Sequence, residues 1–411
     1  MEKNERRILV FASASHFFTH FYILIFPVLV LPLSRDLGLS LNRVLGLSFL
    51  MYLLYGLVAI PWGLISDNTN PRTVMGLGTV MAGGGLVLSG LIRNADLLTW
   101  TLAITGLGCA AYHPSGLTLV SKGIKSRGKG MGINGIFGNL GMAVAPFAAG
   151  ILNYFFGWRQ TLIFLGIAGI MIGFMIFIFT FSVPRDRDLQ HDETLKSNSV
   201  LKLFLILCVV VLFSGLMYRT YTLIFPAWIE LKMSDLFNKI TFYLENSGSK
   251  SLLPETDTLL AAIITGLAYV IGMFGQFAGG RIADKWELRS AYLFFWLMAL
   301  PFLLLARFSS GLWVLPFTGF FIFFALGIQP IENSIYAILT PARWRSVGYG
   351  IKFTLAFGIG SLSVFIVKQL EPSLGFGGII LLVAGYLLLT TLATLALRLV
   401  YRNQQIKHTG D

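Results

Sequence analysis

The sequence has little charge and almost no cysteine. Of its 411 residues only 12% are Asp, Glu, Lys or Arg, and 55% are hydrophobic, whereas a soluble domain carries about 25% charged residues. The two cysteines, Cys109 and Cys208, lie in apolar runs and show neither metal-ligand spacing nor a disulfide framework. The composition therefore excludes a soluble globular protein and a disulfide-stapled secreted one.

The sequence also lacks the short motifs of catalysis and nucleotide binding. It contains no phosphate-binding glycine loop, no His-Glu-x-x-His motif and no spacing that suggests a nucleophile paired with a base. These absences argue against an enzyme and against an ATP-driven pump. They also predict that the protein needs no metal and no cofactor.

Long apolar runs are what the sequence does have. Many exceed 18 residues and the mean hydropathy is +0.76, so we predict an all-α polytopic membrane protein. The first run continues to about Leu33, which is too long for a cleaved signal peptide. Polar breaks divide the chain into twelve predicted transmembrane helices, with approximate limits 8–33, 44–66, 73–92, 97–120, 130–154, 158–183, 201–229, 259–282, 290–308, 311–339, 346–370 and 374–400.

Two stretches of the sequence occur twice. Residues 20–27, HFYILIFP, reappear as 219–226, RTYTLIFP, and GLISD at 63–67 reappears as GRIAD at 280–284. Two landmarks in the same order indicate a duplicated unit, which is typical of secondary transporters with a substrate site between two helical bundles. We therefore predict an N-terminal six-helix bundle over 1–183, a cytoplasmic linker over 184–200 and a C-terminal six-helix bundle over 201–411.

The second half carries an additional segment. Residues 230–258 separate spans seven and eight and form a predicted insertion on the non-cytoplasmic side. Leu236, Ile240, Tyr243 and Leu244 fall on one helical face. This spacing predicts a short amphipathic helix on the membrane surface.

Lysine and arginine are distributed unevenly among the predicted loops. If the N-terminus is cytoplasmic, most of these residues lie on the cytoplasmic side, as the positive-inside rule requires. We therefore predict a multi-pass protein of the inner (plasma) membrane with both termini in the cytoplasm. The net charge of +12 indicates contact with anionic lipid and requires no nucleic-acid partner.

The two loop landmarks carry a family resemblance. Residues 63–67 followed by Arg72, and residues 280–284, resemble the loop motifs after spans two and eight of the major facilitator superfamily. The resemblance implies that family's fold, in which twelve transmembrane helices form two pseudo-symmetric six-helix bundles. It also implies a gating role, conformational rather than chemical, for four residues: Asp67, Arg72, Arg281 and Asp284.

The N-terminal half resembles a narrower group, the fosmidomycin-resistance exporters. The resemblance is carried by AYHP at 111–114, by the basic loop at 121–130, and by residues 138–146. The sequence departs from that group at His20 and Ser115, where acidic residues are usual. Leu102 stands where drug/proton antiporters carry an arginine. These replacements remove groups that proton-coupled drug export is expected to use.

Ionisable residues inside predicted spans mark candidate sites, because they are costly there and usually face a cavity. The repeat pairs His20 with Arg219, in the first helix of each half. Arginine stays charged at any working pH and can hold a carboxylate or phosphate with two parallel hydrogen bonds. We therefore predict a cationic cavity for a small anionic solute. Its predicted substrate-binding residues are Arg219, His20, His16, Lys352, Tyr22, Tyr221, His113 and Asn134.

A second set of ionisable residues lies nearer the cytoplasm. Glu332 and Lys352 are about equally far from the turn between predicted helices ten and eleven, and His113 and Asn134 hold the matching positions in helices four and five. An ion pair between Glu332 and Lys352 would reduce the cost of burying either charge. Glu332 then either holds Lys352 until substrate competes for it, or titrates as the proton-coupling group. A purely structural pair is the alternative, as are histidines that only bond neighbouring helices.

These features predict a secondary active transporter that moves a small anionic solute by alternating access, with a proton as a possible coupling ion. A proton-coupled efflux pump for a drug or phosphonate is the first alternative. A scaffold or sensor that keeps the same fold without transport is the second.

Overall fold

The computed structural model describes residues 2–125, 127–179, 198–246, 255–283, 285–339 and 351–409, and every regular element in these ranges is helical. The all-α prediction is therefore confirmed. The helices are α1 (Lys3–Leu37), α2 (Leu41–Leu47), α3 (Phe49–Leu57), α4 (Ala59–Asn68), α5 (Pro71–Leu91), α6 (Ala95–Ala110), α7 (Tyr112–Gly123), α8 (Arg127–Ile178), α9 (Asn198–Lys232), α10 (Ser234–Asn246), α11 (Thr256–Ala283), α12 (Leu288–Phe308), α13 (Val314–Leu339) and α14 (Leu362–Thr409).

Two of the longest helices contain a sharp break at a glycine. Gly157 in α8 has a φ of 79° and Gly375 in α14 a φ of 58°, a left-handed conformation that glycine adopts without a Cβ clash. Each break separates two apolar segments, close to the predicted boundaries at 154–158 and 370–374. The sequence therefore placed these two turns correctly.

Two other predicted spans are interrupted four residues before a proline. Helix α3 ends at Leu57 and α6 ends at Ala110, and Pro61 and Pro114 follow. A proline inside a helix removes one hydrogen bond and clashes with the carbonyl of the fourth residue before it. The segments Leu41–Leu57 and Ala59–Asn68 consequently meet at 41°.

These breaks reconcile the helices with the predicted number of spans. Eight of the described helices are each long and apolar enough to cross a membrane, and the bent pair that ends at Asn68 adds a ninth. Dividing α8 and α14 at their glycines and joining α6 with α7 accounts for twelve spans in the described residues. The chain is a multi-pass membrane protein.

The chain divides into two compact units. Unit 1 comprises Met1–Asp188, Thr222–Leu267 and Ser361–Ser373, and unit 2 comprises Leu189–Tyr221, Ala268–Gly360 and Leu374–Asp411. Unit 1 thus includes two stretches of the predicted C-terminal bundle. The division of the chain at a linker over 184–200, most of which lies outside the described residues, stays a prediction.

The helices of unit 1 pack so closely that several contacts admit only glycine. A Cβ added to Gly106 in α6 would lie 1.9 Å from the carbonyl oxygen of Met51 in α3. One added to Gly83 in α5 would lie 2.5 Å from the carbonyl oxygen of Gly166 in α8. Small residues of this kind let membrane helices approach backbone to backbone.

In unit 2, glycines likewise allow close backbone contact between α11 and α13. A Cβ on Gly275 would lie 2.0 Å from the carbonyl oxygen of Phe323, and one on Gly279 would lie 1.8 Å from that of Gly327. The two glycines of α11 are one turn apart, so they present one face to α13. Close packing therefore holds α11 and α13 together over at least one turn.

The insertion contains the predicted helix, and contact of its apolar face with the membrane surface stays a prediction. Helix α10 spans Ser234–Asn246. Phe237 is 1% exposed, whereas Tyr243, which the predicted apolar face includes, is 73% exposed. Leu236 and Ile240 are partly buried, and the side chain of Leu244 lies outside the described residues. Phe237 is therefore the described residue of α10 that lies buried within unit 1.

Candidate functional site

Three histidines meet in unit 1. His16 and His20 are one turn apart in α1, and His113 lies in the first turn of α7. The Nε2 atoms of His16 and His20 are 3.1 Å apart, and the ring centroid of His113 lies 5.5 Å and 5.4 Å from those of His16 and His20. His16 and His113 are buried and His20 is partly exposed. The structure thus brings together residues of the first and fourth predicted spans.

Hydrogen bonds orient two of these rings. Nδ1 of His16 lies 2.8 Å from the backbone oxygen of Asn134 in α8, and because a carbonyl only accepts, Nδ1 carries the hydrogen. The hydroxyl of Tyr112 donates to the side-chain oxygen of Asn134 at 2.7 Å, and the Tyr112 ring stacks on His16 at 4.6 Å. Nε2 of His113 is 3.1 Å from the hydroxyl of Tyr55. A neutral His16 held in this way presents a lone pair on Nε2.

The ion pair expected in the second set of residues is present in unit 2. Nζ of Lys352 lies 2.8 Å from Oε1 of Glu332, and both side chains are about one-tenth exposed. The hydroxyl of Tyr292 donates to the other carboxylate oxygen of Glu332 at 2.5 Å. Lys352 also donates to the side-chain oxygen of Asn333, and its Nζ lies 5.4 Å from the ring centroid of Tyr336. The pair is therefore enclosed by polar and aromatic partners.

Arg219 is the most deeply buried charged residue among those predicted for the site. It lies in α9 and is 1% exposed, and a Cβ added to Gly360 would lie 3.8 Å from its own Cβ. Tyr221 is 4% exposed and meets Phe321 edge to face, with centroids 4.7 Å apart. Both belong to unit 2, whereas His16 and His20 belong to unit 1. That one cavity collects all four stays a prediction.

Tyr22, the repeat partner of Tyr221, lies at a helix–helix contact. It is 1% exposed, and its hydroxyl donates to the backbone oxygen of Leu165 in α8 at 2.9 Å. A Cβ on Gly169 would lie 1.8 Å from the same hydroxyl. The Tyr22 hydroxyl thus ties α1 to α8 and has its one hydrogen in use.

The predicted gating residues are placed as follows. Asp67 is exposed near the end of α4, and Arg72 donates to the backbone oxygen of Phe177 at 3.3 Å. Arg281 is exposed, with its guanidinium carbon 4.1 Å from the ring centroid of Phe277. Asp284 lies outside the described residues. The gating role of these four residues remains a prediction.

An ion-pair network that the sequence did not predict lies at one end of unit 1. Arg35, at the end of α1, bonds to Glu230 in α9, to Glu255 at 3.3 Å and to the Thr258 hydroxyl at 3.2 Å. Thr258 donates to Glu230 at 2.8 Å, and Asn153 in α8 donates to Glu255 at 3.2 Å. The network joins four helices. Its one sequence signal is an acid, Glu230, directly at the end of a long apolar run.

Comparison with known proteins gives a family-wide match. The family model described as "Major Facilitator Superfamily" matches residues 9–365. The chain is 29% identical over 144 residues to the "Probable L-galactonate transporter" of Escherichia coli, covering 34% of this chain and 32% of the relative. It is 26% identical over 198 residues to the "Probable hexose phosphate transport protein" of Chlamydia muridarum, covering 47% of this chain and 43% of the relative. The matched stretches thus span less than half of each relative's length.

The fold matches solved transporters over nearly the whole chain. A bacterial homolog of the human lysosomal transporter Spinster, in an inward-facing and occupied conformation, has a TM-score of 0.72 at 16% identity, with 98% of both chains covered. At that identity the match concerns the fold alone. It agrees with the twelve spans counted above.

Proposed function

Because this chain belongs to the Major Facilitator Superfamily, we propose that it is a secondary active transporter that moves a small anionic solute across the membrane by alternating access. The names of two relatives support the anionic class. Galactonate carries a carboxylate and a hexose phosphate carries a phosphate group, and both relatives are named for the transport of these solutes. Those matches cover less than half of either relative, so the solute of this chain is inferred chiefly from its own residues.

The observation that carries the proposal is the buried guanidinium of Arg219. A cation within the hydrocarbon region costs several kcal/mol, so such residues are retained where they contact a substrate or a polar cavity. Arg219 is 1% exposed, and its planar fork fits a carboxylate or phosphate with two parallel hydrogen bonds. A neutral sugar would gain less from such a group, since hydrogen bonds between charged groups are about twice as strong as neutral ones.

The Glu332–Lys352 pair supplies a second element of the proposed mechanism. Lys352 can exchange Glu332 for the anionic group of the solute while Asn333 and Tyr336 keep its ammonium solvated. The carboxylate that Lys352 leaves retains the hydroxyl of Tyr292. In this form, Glu332 and Lys352 neutralise each other's charge until the solute arrives. In a proton-coupled form, Glu332 takes up a proton when Lys352 turns to the solute.

The three histidines offer hydrogen-bond donors rather than fixed charge. His20, the partly exposed member, is the one best placed to contact a solute. His16 uses its Nδ1 on Asn134, and Tyr22 uses its hydroxyl on Leu165. We therefore rank His20 above His16 and Tyr22 among the predicted substrate contacts.

Proton-coupled export of a phosphonate-like drug is the second candidate. It is favoured by the resemblance of the AYHP stretch and its neighbours to the fosmidomycin-resistance group. The relatives found by comparison are named for other solutes. Transport that persists down a counter-anion gradient after the proton gradient is dissipated would favour exchange over this candidate.

Uptake by purified protein in liposomes tests the proposal. Sugar acids and hexose phosphates are first screened for those that raise the melting temperature of the native protein. Uptake of the best ligand is then compared in wild type, Arg219→Gln and Arg289→Gln. Arg289 is also a buried arginine of unit 2, but it pairs with Glu287 at 3.0 Å and lies over the Tyr401 ring.

We expect Arg219→Gln to abolish uptake and Arg289→Gln to retain it, because only the first change removes the proposed anion contact. Wild-type uptake by Arg219→Gln would refute the proposed site. Equal uptake of a hexose and its phosphate would refute the anionic solute class.

A further inference from the structure

The three histidines of unit 1 have the composition and spacing of a metal-binding site. His16, His20 and His113 each offer one ring nitrogen, and these three nitrogens lie within 4.8 Å of one another. Neutral imidazole is a common ligand for zinc, copper, nickel and cobalt. Three histidines with one open position form a known ligand set for zinc.

The distance between the first two nitrogens fits a shared cation. In a tetrahedral zinc site, Zn–N bonds of about 2.0–2.1 Å place neighbouring nitrogens about 3.3 Å apart. The Nε2 atoms of His16 and His20 are 3.1 Å apart. Two facing ring nitrogens at this distance need a hydrogen between them, and a metal ion can take the place of that hydrogen.

The surroundings of His16 supply the orienting contact that metal-bound histidines usually have. Its Nδ1 donates to the backbone oxygen of Asn134 at 2.8 Å, which leaves the Nε2 lone pair directed at His20. Carbonyl partners of this kind fix the tautomer of a metal-bound imidazole and raise its basicity. Stacking of Tyr112 on the His16 ring at 4.6 Å holds the ring plane as well.

His113 completes the set from a second helix. Its ring centroid lies 5.5 Å from that of His16 and 5.4 Å from that of His20. The Tyr55 hydroxyl lies 3.1 Å from Nε2 of His113, and when this nitrogen carries the hydrogen, Nδ1 of His113 is left to bind a metal. The three nitrogens, which lie within 4.8 Å of one another, would close to about 3.3 Å around a tetrahedral ion.

We propose that His16, His20 and His113 bind one borderline divalent cation of the zinc type through three ring nitrogens. The fourth position of a tetrahedral ion stays open to water or an anionic ligand. This site goes beyond the proposed transport function and does not depend on it. Metal binding is measured on the resting protein, without any solute or membrane gradient.

The test uses the full chain without a histidine tag, purified in detergent and freed of metal with a chelator. Zinc is titrated by calorimetry, and cobalt is added separately because its visible spectrum reports coordination number and geometry. The variants are His20→Gln and His113→Gln. The control is the double variant His191→Gln/His408→Gln, which changes the two other histidines of the sequence.

We expect wild type and the control to bind one zinc per chain and to give the absorption of tetrahedral cobalt. His20→Gln and His113→Gln should weaken zinc binding by about 100-fold or more, since loss of an outer-shell partner alone costs about 10–100-fold. Zinc should also raise the melting temperature of wild type and not of these variants.

Three results would overturn the site. The first is a wild-type protein whose cobalt spectrum shows only octahedral, water-like coordination, and this result does not depend on whether any variant folds. The second is zinc affinity in His20→Gln equal to that of wild type. The third is zinc binding that disappears in the His191→Gln/His408→Gln control, which would place the metal elsewhere in the chain.

Discussion

The ion pair between Glu332 and Lys352 can be dissected by a double-mutant cycle, because each residue has different remaining partners. In Lys352→Met, the Glu332 carboxylate loses the ammonium group and keeps the Tyr292 hydroxyl, its other partner among the described residues. Removing one partner of a buried pair costs about 3–5 kcal/mol. With both side chains about one-tenth exposed, we expect a loss in that range.

The reverse change should cost less. In Glu332→Gln, Lys352 keeps the oxygen of Asn333 and the ring of Tyr336, and the new amide oxygen can still accept from its Nζ. A hydrogen bond to a charged group contributes about 1.5–3 kcal/mol, so we expect a loss at or below that value. The double variant buries no charge and should lie within about 1 kcal/mol of wild type.

The measurement is unfolding in detergent followed by intrinsic fluorescence, with melting temperatures and midpoints compared across the four proteins. Arg43 and Asp96 serve as a control pair at 3.1 Å, with side chains 54% and 78% exposed. Breaking that pair should cost less than about 1 kcal/mol. Additive losses from Glu332→Gln and Lys352→Met would refute the reasoning, because a direct pair must show a coupling energy.

Uptake by the same four proteins assigns the role of the pair. If each single variant is inactive and the double variant recovers, the pair is structural. If the double variant is stable but inactive, at least one of the two charges takes part in the transport cycle. Stability and uptake measured together thus distinguish a structural ion pair from one that acts in transport, which the contact distance alone does not do.

Other predictions concern packing, the Arg35 network and one helix end. Gly106→Ala should destabilise the protein by about 1–3 kcal/mol, as overpacking does, because the new Cβ would lie 1.9 Å from the carbonyl oxygen of Met51. Gly84 has open space around it, so Gly84→Ala should leave the melting temperature unchanged. Arg35→Gln should cost about 1–3 kcal/mol, between the values for surface and buried pairs, because Glu230 is buried and Arg35 is 45% exposed; an unchanged melting temperature would contradict this. Burial would raise the pKa of Glu287, but hydrogen bonds from Ser290 and Arg289 outweigh it and lower the pKa from its ordinary value of 4.5. The stability that Glu287 adds is therefore present above about pH 4.5 and lost as the pH falls through the lower folded-state value, so the difference between wild type and Glu287→Gln should shrink on acidification.

The parts of the fold that followed from the sequence are those set by local chemistry. Apolar run length gave the spans, and the turn positions near Gly157 and Gly375 followed from polar breaks beside glycine. Proline was less informative by itself. Pro61 and Pro114 each follow a helix end by four residues, whereas α1 continues through Pro27 and Pro32. Neighbouring helices decide which outcome occurs, and that information is tertiary.

The sequence predicted one contact of the candidate site correctly, the ion pair between Glu332 and Lys352, because both residues were counted from the same predicted turn. Counting residues from the predicted turn paired Glu332 with Lys352, and the 2.8 Å contact between Nζ of Lys352 and Oε1 of Glu332 confirms that pair. The same counting related His113 to Asn134. It missed the network of Arg35 with Glu230, because these residues are almost two hundred positions apart and meet only when α1 and α9 pack. The bond from His16 to the backbone oxygen of Asn134 is likewise invisible in the sequence.

The turn glycines also show where the two copies of the repeat differ in length. Pro27 and Pro226 are 199 positions apart, but Gly157 and Gly375 are 218 positions apart. The second copy therefore carries an excess of about 19 positions between these landmarks, and the insertion that holds α10 is of the right size and place to account for it. Helix α10 is accordingly the described element of the second copy that has no counterpart in the first.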